Sequence, residues 1–190
     1  MAAHKIDYVP GCADLGDYDA TSTTIALEPV QAPEAVIPRA ALERTFDGYW
    51  EFFTKRRDGR EPWEAFTPYE WRAVGAFVRL GWRDRAVAAL DWFMKFRRPP
   101  GWSQWPEVVW RDERVPHFLG DLPHTWVGSD FVRSVLDMLA YERESDDALV
   151  LLAGAPSDWI PLQVQGLVSR STEPSTSPSR IRERTRRASR

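Results

Sequence analysis

The sequence predicts an all-α fold followed by a disordered basic tail. Three observations carry that expectation. Apolar residues recur at helical spacing in four separate segments of the 190-residue chain. Two of those segments are joined by only a few residues, which makes an antiparallel helical hairpin. From about residue 161 the composition turns to Ser, Thr, Pro and Arg without apolar periodicity, which reads as disorder.

Residues 1–38 read as an extended, irregular N-terminal segment punctuated by Pro10, Gly11, Gly16, Pro29, Pro33 and Pro38. Its run TSTTIAL (21–27) suits a short strand. The first helix spans about 39–57, with Leu42, Phe46, Tyr49 and Phe53 on one face and Lys55, Arg56 and Arg57 at the end where the helix dipole favours cations. A second opens on Thr67-Pro68-Tyr69-Glu70 and ends near Leu80. That opening has the pattern of a capping box, in which Thr67 satisfies an orphan amide and Glu70 reaches back. A third helix covers about 83–96, with Ala86, Leu90 and Phe93 on one face.

Residues 97–126 show no period of either kind, yet hold Trp102, Trp105, Trp110 and Trp126 around Glu107. Connections this long are uncommon inside compact domains and are usually functional or disordered. Disordered segments are poor in aromatics. An aromatic-rich loop on a helical scaffold points to a binding or catalytic surface, and flat aromatic faces with carboxylates suit a sugar. A fourth helix, about 124–143, carries a wide apolar stripe from Val127 to Leu139. The run ALVLL (148–152) then reads as a strand or packed segment. The expected organisation is an extended segment (1–38), a helical-hairpin domain (39–160) and a disordered tail (161–190).

Composition narrows the function. The 25 basic and 28 acidic residues leave a net charge of −3, which favours no general polyanion partner. Residues 170–190 hold seven arginines against two glutamates, leaving about −8 on the rest. That tail has no aromatic interleaving for base stacking, so no nucleic-acid partner is expected. One cysteine, Cys12, excludes an internal disulfide. No apolar run follows a basic start and none reaches about 18 residues, so neither a signal peptide nor a membrane partner is expected, and the chain reads as cytoplasmic. Dinucleotide, P-loop, zincin and paired-cysteine motifs are missing from the sequence, and no cofactor is expected.

The segment GDLPHTWVGSDFVRSVLDMLAYERESDDALVLLAGAPSDWI (120–160) resembles the C-terminal end of bacterial six-hairpin glycosidase-like proteins. These are (α/α)6 toroids related in architecture to glucoamylases, bacterial rhamnosidases and disaccharide phosphorylases. GDYDATSTTIALEPVQAP (16–33) and PYEWRAVGAFVRLGWRDRA (68–86) resemble earlier parts of the same family. The resemblance covers roughly residues 14–160. It implies helical hairpins forming the C-terminal portion of an (α/α)6 toroid, whose full set is twelve helices. A carbohydrate-active fragment, inactive alone, is the expectation, with a neighbouring chain supplying the missing helices. Uncovered helix faces would then make the chain oligomerise or dissolve poorly. Past Trp159 the family continues into a strand resembling GLRTPYG, whereas this chain reads QVQGLVSRSTEPSTSPSR. A frameshifted or otherwise aberrant end from about residue 163 is the expectation.

Glycoside hydrolysis commonly uses two carboxyl groups, one protonating the leaving oxygen and one activating water or attacking the sugar. In glucoamylase-like toroids the general base is a glutamate in the loop before the last helix pair. The resemblance therefore makes Glu107 an inverting-type general base, with Trp102 and Trp105 stacking on the sugar. A solvated loop glutamate is the alternative. No residue clearly supplies the acid. Asp17 and Asp19 are candidate ligands to sugar hydroxyls, or a turn-forming pair. Asp121 suits capping the last helix, and His124 suits a hydrogen bond to a sugar hydroxyl; both also suit a purely structural role. Trp126 is expected in the core rather than as a platform. His117, Asp121 and His124 match no established ligand spacing, so no metal is expected. The substrate implied is an oligo- or polysaccharide. Competing readings are a non-catalytic helical module that binds a glycan or a protein, and a gene remnant without function.

Overall fold

A computed structural model describes residues 1–63, 65–112 and 118–169. The expectation for the arginine tail therefore lies mostly outside the described residues. Five α-helices dominate: α1 (Ala20–Leu27), α2 (Arg39–Arg57), α3 (Trp71–Arg79), α4 (Arg83–Phe93) and α5 (Thr125–Leu139). The chain is thus mostly helical, as expected, but with two small antiparallel sheets. β1 (Ala65–Phe66) pairs with β2 (Val109–Trp110), and β3 (Ala140–Arg143) pairs with β4 (Ala148–Leu151).

Three local expectations are corrected. The run 21–27 is helix rather than strand. Asp19 caps it, accepting from the Ser22 amide (2.9 Å) and hydroxyl (2.6 Å), while Thr23 and Thr24 donate their hydroxyls back to carbonyls of the preceding turn. Local hydrogen bonds and burial of Ala20, Thr23 and Thr24 outweigh the strand preference of β-branched residues. The last helix stops at Leu139 rather than near 143, because 140–143 pairs with 148–151 around a turn in which Asp147 is left-handed (φ 50°). The capping box does not form. The Thr67 hydroxyl donates to the Glu107 carbonyl (3.0 Å), and Glu70 is buried in an ion pair.

That ion pair closes one end of the core. Glu70 accepts from both terminal nitrogens of Arg56 (3.0 and 2.5 Å) and from the Tyr49 hydroxyl (2.6 Å), with the two charged side chains almost wholly buried. Bidentate geometry offsets part of the large desolvation cost. Around it pack Phe46, Phe53, Trp71, Phe77 and Phe93, all fully buried. Their rings meet mostly edge-on or tilted, an arrangement that adds to simple area burial.

Helix α3 is the centre of the packing. Every residue except Arg72 and Arg79 is buried. Arg72 pairs with Asp130 (2.8 Å) and Arg79 with Asp137 (2.9 Å), so α3 and α5 run parallel. Glu28 at the end of α1 meets Arg79 at the end of α3 (2.7 Å). Helices α2 and α4 return. Tyr49 and Arg56, late in α2, meet Glu70 ahead of α3, while Arg39 at the start of α2 donates to the Leu80 carbonyl (2.6 Å). The short connection at Gly81 (φ 80°) turns α4 back along α3. Gly75 lets α5 approach closely: a Cβ there would lie 3.1 Å from the Asp137 carboxylate. Burial pushes the Asp130 and Asp137 carboxyls above the ordinary aspartate range, against the pull of Arg72 and Arg79.

Two outcomes follow from this core. Replacing Glu70 with Ala strands the buried Arg56 charge and lowers unfolding free energy by about 3–5 kcal/mol, read from urea denaturation. At high pH, burial holds the Tyr18 phenol at about 12, with the neighbouring Tyr8 adding to the shift, and burial holds Tyr49 well above its ordinary value. An unfolded tyrosine releases its proton near pH 10. The stability these phenols contribute is complete below that pH and is lost as pH rises from 10 towards 12. The urea midpoint falls across that window, and less steeply in Tyr18→Phe.

Candidate functional site

Among the described residues, the later part of the loop that follows α4 is pinned by its backbone. Residues 105–110 run beside 118–124. His124 N–H donates to the Trp105 carbonyl (2.8 Å), Glu107 N–H to that of Asp121 (3.1 Å) and Val108 N–H to that of Leu119 (3.0 Å). The strand β2 ties the same segment to β1, just ahead of Thr67 and Tyr69. Glu107 is thereby held at its backbone on both sides, and its carboxylate accepts from the Asp121 amide (3.3 Å). Gly120 makes this possible. Its φ is +64°, and a Cβ there would lie 2.6 Å from the Glu107 Cβ.

Glu107, Asp121 and His124 come together at the end of the molecule where α3 and α5 begin. Each offers one ligand atom, and these atoms all lie within 4.8 Å of one another, so the three side chains could hold one metal ion. The His124 Nε2 sits 2.6 Å from the Tyr69 hydroxyl, and its Nδ1 lies 3.8 Å from the Asp121 carboxylate. The His124 side chain is 14% exposed and that of Asp121 is 84% exposed, so the cluster has a supported side and an open one. Burial, and after it the Glu107 charge, pushes the Tyr69 phenol above its ordinary value. It therefore remains a hydrogen-bonding group at neutral pH. His124, not Asp121, stands at the N-cap position of α5, and it caps with no side-chain bond.

The tryptophans exchange the roles expected of them. Trp105 is 4% exposed and packs against Trp71 and Phe131, so its faces are closed to a sugar. Trp126, expected in the core, is 58% exposed. It meets Tyr69 edge-on at 5.4 Å, and Arg72 lies over both rings at 5.2 and 5.3 Å. Asp130 fixes Arg72 in turn (2.8 Å). Trp102 is exposed, as a platform must be. Asp17 and Asp19 serve the N-terminal segment: Asp17 accepts from the Cys12 amide (2.7 Å) and Asp19 caps α1. Neither makes a hydrogen bond or ion pair with the Glu107 cluster among the described residues. His117 lies outside those residues.

Tyr69 and Arg72 were missed in the sequence, where the capping pattern accounted for the whole opening of α3. The one available signal was an aromatic and a cation flanking that pattern. The spacing of the acids also bears on chemistry. The carboxyls of an inverting pair stand roughly 6.5–9.5 Å apart to admit water. Asp121 lies too close to Glu107 to be such a partner. An open depression of about 470 Å³ lies elsewhere, at the far ends of α3 and α5, lined by Leu27, Ile37, Leu42, Arg79 and Tyr141. Its three arginines are each paired, Arg39 with Glu43, Arg79 with Glu28 and Asp137, and Arg143 with Asp146, and the Glu107 cluster lies outside its lining. No helix among the described residues is long and apolar enough to cross a membrane.

No family model, curated protein or solved structure matches this chain. The side chains themselves carry the functional reading. Gly120→Ala tests their arrangement: a left-handed alanine costs about 1–2 kcal/mol, and its methyl group displaces Glu107. A fall in melting temperature together with a shifted Glu107 side-chain resonance is the expected result.

Proposed function

We propose that this chain is a carbohydrate-active, glycosidase-like helical module that binds an oligo- or polysaccharide at the start of α3 and α5. One observation carries the reading: two carboxylates, an imidazole and a phenol converge beside an exposed indole. Carboxylates accept from sugar hydroxyls, and imidazole and phenol both donate and accept. The indole of Trp126 offers a flat apolar face, held by Arg72 and Tyr69. Glu107 is the candidate general base of this site. The acid partner lies outside the cluster, so the chain binds sugar without hydrolysing it.

The parallel pairing of α3 with α5, with α2 and α4 returning, is what supports the hairpin-toroid reading. In such a toroid a further helix covers α5. The exposed side chains of Val132 and Leu136 on α5 suit that contact, and a neighbouring chain is the source proposed. A second reading, a non-catalytic module that docks a protein partner through this stripe, rests on the same exposure.

Ligand-observed NMR against soluble oligosaccharides tests the proposal. Binding is expected for the native chain. It weakens roughly 3–10-fold in Trp126→Ala, the loss corresponding to one aromatic contact, and also falls in Glu107→Gln. A chain that binds no oligosaccharide, or that binds equally well without Trp126, removes the carbohydrate reading.

A further inference from the structure

We propose that Glu107, Asp121 and His124 form a binding site for one zinc-type divalent metal ion. Their two carboxylate oxygens and one imidazole nitrogen lie within 4.8 Å of one another. Ligands around a shared zinc ion at about 2.0–2.2 Å stand roughly 3.5 Å apart, so small side-chain rotations bring all three onto one ion.

Two further observations point to a cation. The first is charge. Among the described residues no arginine or lysine is bound to Glu107 or Asp121. Each of the buried acids Glu70, Asp130 and Asp137 has an arginine (Arg56, Arg72 and Arg79), whereas Asp121 is exposed and its basic neighbour is His124 at 3.8 Å. Two carboxylates this close repel one another, and a cation held between them relieves that repulsion. The second is the histidine. A metal-bound histidine characteristically gives its other ring N–H to an oxygen, which fixes the tautomer and the ring plane. The Tyr69 oxygen stands 2.6 Å from His124 Nε2, in position to accept that proton, and Nδ1 then turns its lone pair towards the carboxylates. Tyr69 is outside the ligand set and is itself held by the rings and guanidinium around it.

The donor set selects the ion. Calcium and magnesium take oxygen ligands, whereas an imidazole among carboxylates suits zinc and its neighbours. Three protein ligands leave a fourth position open, and the exposure of Asp121 gives the ion a path in. The metal occupies the lone pairs through which Glu107 would act as a base, so zinc occupancy and base catalysis exclude one another at this site. The inference does not rest on the carbohydrate reading.

The test uses the full chain freed of metal by a chelator. Zn2+ binding is followed by calorimetry and Co2+ binding by its visible absorption. One equivalent of Zn2+ is expected. The affinity falls roughly tenfold or more in Asp121→Asn and His124→Gln, and about tenfold in Tyr69→Phe, with unchanged far-UV circular dichroism. Asp121→Asn is the decisive variant, because its exposed side chain does not support the fold. Trp126→Ala leaves zinc affinity unchanged while it weakens sugar binding, so the two proposals fail separately. Absence of saturable binding, unchanged affinity in Asp121→Asn, or a thiolate band showing Cys12 as ligand overturns the assignment.

Discussion

Helix α3 is sealed on every side except where Arg72 and Arg79 leave it, seven residues apart, to meet Asp130 and Asp137, also seven apart, on α5. Matching intervals mean that both ion pairs form in one register only. Between them the Ser134 hydroxyl donates to the Trp71 carbonyl (2.8 Å), a third contact on the same seam. Dispersion and apolar burial would tolerate α5 sliding by part of a turn; buried charges do not, because a slip leaves an unpaired ion in a low-dielectric interior. That register is what brings the start of α3 beside the start of α5. Tyr69 therefore reaches His124, and Arg72 reaches over Trp126. The polar seam contributes specificity of placement, while the aromatic core behind it contributes most of the burial.

The candidate site is consequently a product of two levels of control. The helix register fixes Tyr69, His124 and Trp126. The paired loop fixes Glu107 and Asp121 through backbone hydrogen bonds, with Gly120 supplying the one conformation and the one empty volume the arrangement requires. A carboxylate bonded to the amide of the residue opposite does not sweep freely through solvent. This preorganisation is what separates Glu107 from an ordinary loop glutamate, since groups held in place lose less entropy on meeting a ligand.

Much of the helical framework was legible in the sequence, because α2 and α4 carry apolar faces at helical spacing, although the α-helix expected over 83–96 ends at Phe93 and 94–96 tighten into a 3-10 turn. The importance of the loop was legible too, from four tryptophans where a disordered connection would have few. Which tryptophan faces solvent was not. Trp105 and Trp126 have identical side chains, and the packing of Trp71 and Phe131 around the first decides between them. Thr67 and Glu70 show the same limit. Their spacing fits a capping box, but Glu70 binds Arg56 and Thr67 binds Glu107, partners 14 and 40 residues away. Local pattern cannot register a competing long-range partner. In α1, the threonines suggested a strand until Asp19 and the neighbouring helices supplied a cap and a surface to pack on.

The parallel pairing of α3 with α5 also bears on the order in which the molecule assembles. The α3–α4 hairpin closes over a few residues, whereas each α3–α5 ion pair joins groups 58 positions apart. Chain entropy makes such distant closures slower than local ones. Tyr69 and His124 are brought together by that non-local closure, and the Glu107 loop lies within the span it closes. The region with the most chemistry thus takes its shape from distant contacts rather than from the local hairpin.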